Sequence, residues 1–78
     1  MNITIYSKSA CPLCVQAKQL LNSKGLEYLE RHVEEDRDAH SWLITTHPEV
    51  RQLPQIFIDG RRVGGLAGLQ AALKQLGV

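Results

Sequence analysis

The chain reads as an α/β protein of order β-α-β-α-β-β-α, with a four-stranded mixed sheet flanked by three helices. Three observations carry that expectation. A short alternating run, Asn2–Tyr6, leads into a loop and then a helix opening at Pro12. The dipeptide Asp59-Gly60 sits between two β-forming runs. Leu66, Leu69, Ala72, Leu73 and Leu76 recur at helical spacing near the end. At 78 residues the chain holds one domain, 1–78, which buries only about 60% of its unfolded surface.

Asn2–Tyr6 alternates β-branched and aromatic residues, which suit a pleated surface, and Ser7 to Ala10 reads as the loop that follows. Pro12 to Lys24 carries Val15, Ala17, Leu20 and Leu21 on a helical period, and Gly25 breaks it. Leu26–Val33 returns as a strand. Asp36 caps a second helix running to about Thr46, which ends near His47-Pro48 because the residue before a proline avoids the helical region. Gln55–Ile58 and Arg61–Val63 form a hairpin across Asp59-Gly60. A strand–helix–strand unit favours parallel pairing with a right-handed crossover, and the hairpin adds an antiparallel edge.

Composition narrows the function. Nine Lys and Arg against eight Asp and Glu give a net charge of +1, no field for nucleic acid. The acidic run Glu34, Glu35, Asp36 and Asp38 reads as a solvated turn and helix start. No run approaches the ~18 apolar residues of a membrane span, and Met1 to Tyr6 is not a secretory leader, so a cytoplasmic protein is expected. A reducing compartment does not maintain structural disulfides, so Cys11 and Cys14 read as a working pair, redox or metal.

Their placement favours redox chemistry. Cys11 falls at the loop end, and Pro12 takes the first helical position, where its missing N–H costs nothing. Cys11 is then the helix N-cap, where free backbone N–H groups, the positive end of the helix dipole and nearby Lys8 favour a thiolate. Cys14 lies one turn on along the same face, nearer the buried side, where a thiol stays protonated. Cys11 is the expected attacking thiol and Cys14 the resolving one. A structural zinc site wants four ligands, and His32, His40 and His47 show no ligand spacing, so no metal is assigned. A metal or iron–sulfur binding module stays open as the alternative, and Trp42 and Leu43 are expected to supply packing area.

Tyr6-Ser7-Lys8-Ser9-Ala10-Cys11-Pro12-Leu13-Cys14 resembles the active-site segment of the glutaredoxin family, within the thioredoxin fold. Leu53-Pro54-Gln55-Ile56-Phe57-Ile58-Asp59-Gly60 is similar to that family's second signature and Gly64-Gly65 to its third. The resemblance implies a thiol–disulfide oxidoreductase, monomeric and without a bound cofactor, that takes electrons from glutathione as co-substrate. Its implied targets are protein or glutathione mixed disulfides, ribonucleotide reductase among them. It further implies a cis Pro54 beside the cysteines and glutathione contacts at Lys8, Leu13, Arg51, Leu53, Pro54, Gly65, Leu66, Ala67 and Gly68. Two positions depart from the family pattern. Leu13 stands where tyrosine is common, and Leu66-Ala67-Gly68 replaces a polar or cysteine residue followed by two aspartates. The second departure keeps open a glutaredoxin-like protein reduced by thioredoxin reductase.

Overall fold

In the computed structural model, which describes residues 1–78, the elements are β1 (Ile3–Ser7), α1 (Pro12–Ser23), β2 (Leu29–His32), α2 (Arg37–Thr46), β3 (Gln55–Ile58), β4 (Arg61–Gly64) and α3 (Leu66–Leu76). The four strands form one sheet in the order β2-β1-β3-β4. β1 pairs parallel with β2 and antiparallel with β3, and β3 pairs antiparallel with β4. This is the expected mixed sheet with three helices.

Position in the sheet explains the strand sequences. β1 and β3 are interior, with every residue of β3 buried and only Thr4 of β1 partly exposed. An interior strand buried on both faces reads as a continuous apolar run rather than an alternation. The hairpin therefore supplies an interior strand as well as the edge strand β4. At its tip Asp59 and Gly60 have φ of 50° and 82°. Both values lie in the left-handed region that a two-residue primed turn demands, which Gly adopts freely and Asp tolerates.

The two faces of the sheet carry different cores. Ile3 and Ile5 of β1 and Ile56 and Ile58 of β3 point to the side of α1 and α3, meeting Ala17, Leu21, Leu69 and Leu73. Tyr6 and Phe57 point the other way, onto Ala39 and Leu43 of α2. Helix α1 buries Cys14, Ala17 and Leu21, one stripe of a helical wheel, so the packing that seats α1 also seats the second cysteine. Asp36 caps α2 as expected, its side chain accepting the Ala39 N–H at 3.0 Å. That bond, followed by the Arg31 guanidinium, holds the Asp36 carboxyl below its ordinary range.

One expectation needs correction. The second strand is four residues rather than eight, because β1 offers it only the register Thr4↔Leu29 to Ser7↔His32. Leu26 and Tyr28 pack against the core from the connecting loop instead. Trp42 is 43% exposed. It lies over α2's face of the sheet, stacked on Tyr6 at 5.5 Å and 14° and edge-on to Phe57, so it supplies the expected packing area by capping the smaller core.

Candidate functional site

The site begins at the start of α1. Ala10 has a positive φ of 53°, which turns the chain out of the β1 loop, and Cys11 follows in extended conformation as the N-cap. The Cys14 backbone N–H points at the Cys11 Sγ, 3.2 Å away. A helix start normally recruits a side-chain oxygen for this contact. Here a sulfur receives it, so the amide that would stabilise a Cys11 thiolate is already aimed.

Cys11 and Cys14 form a disulfide, with Cα atoms 5.2 Å apart. Cys11 is 8% exposed and Cys14 1%, the ordering expected of an outer and an inner sulfur. Across from them the Leu53–Pro54 peptide is cis, and the Leu53 carbonyl oxygen lies 3.7 Å from the Cys11 Sγ. In the disulfide this is proximity only. Once reduced, the Cys11 thiol has an acceptor there for its proton.

A cleft of about 410 Å³ opens beside Pro54. Leu13 of α1, the Leu53-Pro54 pair, and Gly65, Leu66 and Ala67 at the start of α3 all line it, and Gly68 with them. Helix α3 opens differently from α1. Its N-cap is Gly65, and no side chain caps its first amides. Unpaired N–H groups at a helix start attract carboxylates. The Gly65 backbone comes close to Pro54, since a Cβ there would sit 3.5 Å from the Pro54 carbonyl oxygen. At Gly68 a Cβ would fall 1.8 Å from the Val63 carbonyl oxygen, so α3 rests directly on the β4 backbone.

Lys8 and Arg51 are exposed and are not among the residues lining the cleft. The carboxylate beside the Lys8 loop is Glu34, which accepts the Ser9 N–H at 3.0 Å. That bond and a second from Ser9 lower the Glu34 carboxyl below its ordinary range, with smaller contributions from His32 and Lys8. Sequence reasoning missed three cleft residues: Gln52, Gln55 and Gln70. Gln70 follows Leu66 and Ala67 by four and three residues on α3, so helical spacing was the available signal. Gln52 and Gln55 flank Leu53-Pro54, and the Gln55 side-chain amide ties them together by donating to the Gln52 carbonyl at 2.9 Å.

The histidines are dispersed: His32 ends β2, His40 is on the exposed side of α2 and His47 is its C-cap. No group of three or more His, Cys, Asp or Glu stands close enough to hold a metal ion. No helix is long and apolar enough to cross a membrane.

Comparison with known proteins agrees with this geometry. The glutaredoxin family model matches residues 3–63. Glutaredoxin 3 of Escherichia coli K12 is 37% identical over 70 residues, 90% of this chain and 83% of that protein. The crystal structure of glutaredoxin 1 from Francisella tularensis superposes with a TM-score of 0.76 at 28% identity, covering 99% of this chain and 98% of that one. NrdH-redoxin from Escherichia coli, a glutaredoxin-like protein, shares the fold with a TM-score of 0.78 at 23% identity over 91% of this chain and 93% of its own. With a disulfide at a proline-started helix, a cis proline opposite it and most of its length matched, the chain belongs to the glutaredoxin family and is a thiol–disulfide oxidoreductase of the thioredoxin fold.

Proposed function

We propose that this domain, 1–78, is a dithiol reductase that draws electrons from glutathione and passes them to protein or glutathione mixed disulfides. The observation that carries this reading is a disulfide at the start of α1 that brackets Leu13, with Leu13, the Leu53-Pro54 pair and the uncapped start of α3 lining one cleft. In the reduced protein the Cys11 thiolate attacks one sulfur of a substrate disulfide. A mixed disulfide forms and the other half of the substrate leaves as a thiolate. The Cys14 thiol then loses its proton and attacks the Cys11 Sγ. The second half of the substrate departs, and the Cys11–Cys14 disulfide remains. Two glutathione molecules return it to the dithiol, becoming glutathione disulfide, so two electrons enter for each two that leave.

In this reading the backbone at Leu53 and Pro54 pairs with the extended glutathione peptide, and Leu13 supplies an apolar wall beside the sulfurs. The free amides at Leu66 and Ala67, beyond Gly65, hold its γ-glutamyl carboxylate. Lys8 and Arg51, long cations in the loops ahead of Cys11 and Leu53, supply charge for its glycine carboxylate. The protein acts as a monomer in the cytoplasm with no bound cofactor, and ribonucleotide reductase is the protein target suggested by the family.

One observation favours a second reading of the electron donor. Ala67 and Gly68 carry no carboxylate for the glutathione amine, and the β4 backbone leaves no room for a side chain at Gly68. NrdH-redoxin, which shares the fold, has a thioredoxin-like activity profile. In this second reading thioredoxin reductase is the electron donor of the present chain. The test supplies the oxidised protein with glutathione and glutathione reductase, or with thioredoxin reductase, and follows NADPH consumption. Turnover with glutathione is expected, and turnover with thioredoxin reductase alone would replace the first reading by the second.

A further inference from the structure

Ser7, Lys18 and Glu30 come from three different elements and converge beneath α1. Glu30, on the edge strand β2, accepts a hydrogen bond from the Ser7 hydroxyl at 2.6 Å and pairs with the Lys18 ammonium at 2.9 Å. Ser7 is 1% exposed at the end of β1, four residues before Cys11. Lys18 stands four residues after Cys14 on α1, one turn along the same face, with Cβ atoms about 6 Å apart by helix geometry. One carboxylate thus ties together the two ends of the segment that holds both sulfurs.

Charge is otherwise sparse here. α1 has no charged residue before Lys18, and α3 has none from Leu66 to Leu73. Charged or titratable groups near the redox loop include His32, two residues beyond Glu30 on the same face and flanked by Glu34 and Glu35, Lys8 beside Glu34, and exposed Arg51 ahead of Leu53. Ser7 and then Lys18 hold the Glu30 carboxyl below its ordinary range, so it is ionised at neutral pH.

We propose that Lys18 and Glu30 are positioning residues whose paired charges set how strongly the Cys11 thiolate is stabilised. Lys18 favours the thiolate, and Glu30 opposes it while fixing Lys18 in place. A balanced pair keeps the thiol reactive without committing it to the ionised form. This inference rests on Cys11 being the attacking thiol, as assigned under Proposed function.

The test is the pH dependence of iodoacetamide alkylation in the reduced protein, with the labelled cysteine located by peptide mass spectrometry. Glu30→Gln removes a negative charge and leaves Lys18 unneutralised, so alkylation of Cys11 at pH 6 is expected to rise about threefold. Lys18→Gln is expected to slow it by about threefold. The double variant returns close to the wild-type profile. A packing role alone would move both single variants the same way and the double variant further, and that result, or two unchanged profiles, would overturn the proposal. Wild-type label arriving first on Cys14 would instead overturn the assignment of the attacking thiol, and the inference built on it.

Discussion

Two helices start on the same side of the sheet and face each other across Pro54, and their first turns are built in opposite ways. At α1 the N-cap is Cys11, whose sulfur receives the Cys14 N–H. At α3 the N-cap is Gly65, and no side chain receives the first amides. The same backbone partial charge is spent inward on a sulfur in one case and left for a ligand in the other. In the function proposed here the filled helix start performs the chemistry and the open one binds.

The sharpest way to break this comparison is at Cys11. Cys11→Ser removes the attacking sulfur while its hydroxyl oxygen can still cap α1, and loss of all disulfide exchange in a mixed-disulfide assay is expected. Residual dithiol turnover would move the chemistry elsewhere. Next in size is Gly68→Ala on α3. The new Cβ would meet the Val63 carbonyl oxygen at 1.8 Å, a backbone atom with no rotamer to yield. Overpacking of this kind costs about 1–3 kcal/mol, read as a lower urea midpoint. An unchanged midpoint would mean that α3 is not seated on β4.

Ala67→Asp tests the open helix start. Ala67 is exposed and lines the cleft, so an acidic side chain there fits and supplies a partner for the glutathione amine. About a fivefold gain in kcat/KM for a glutathionylated peptide is expected, from a charge-assisted contact of ~1 kcal/mol. The smallest effect concerns acid. The Glu30 carboxyl lies below its unfolded value, so its share of stability is fully present above about pH 4.3 and is lost as pH falls through the folded value. The urea midpoint of Glu30→Gln should therefore fall less steeply between about pH 5 and 3 than that of the wild type.

Most of the fold was legible because its signals are local. Pro12 behind Cys11, Asp36 three residues before the amide it caps, and the Asp59-Gly60 turn each act within a few residues. What escaped depends on contacts between distant parts of the chain. The interior place of β3 follows from its pairing with β1, 49 to 55 positions away along the chain. That a cis Pro54 stands beside the cysteines came from resemblance, not from any spacing, and the approach of the Leu53 carbonyl to Cys11 across 42 positions came from the structure alone. The absence of acidic side chains at Ala67 and Gly68 was visible in the sequence, whereas the reason position 68 admits none lies in the β4 backbone. Trp42 supplies packing area as its size suggested, while the aromatic partners it covers, Tyr6 and Phe57, follow from the tertiary fold.

The most direct test is to trap the intermediate. Reduced Cys14→Ser protein, mixed with glutathione disulfide and analysed by intact-mass and peptide mass spectrometry, is expected to carry one glutathionyl group, on Cys11. An unmodified protein would contradict the claim that a Cys11 thiolate attacks a glutathione disulfide at the mouth of this cleft.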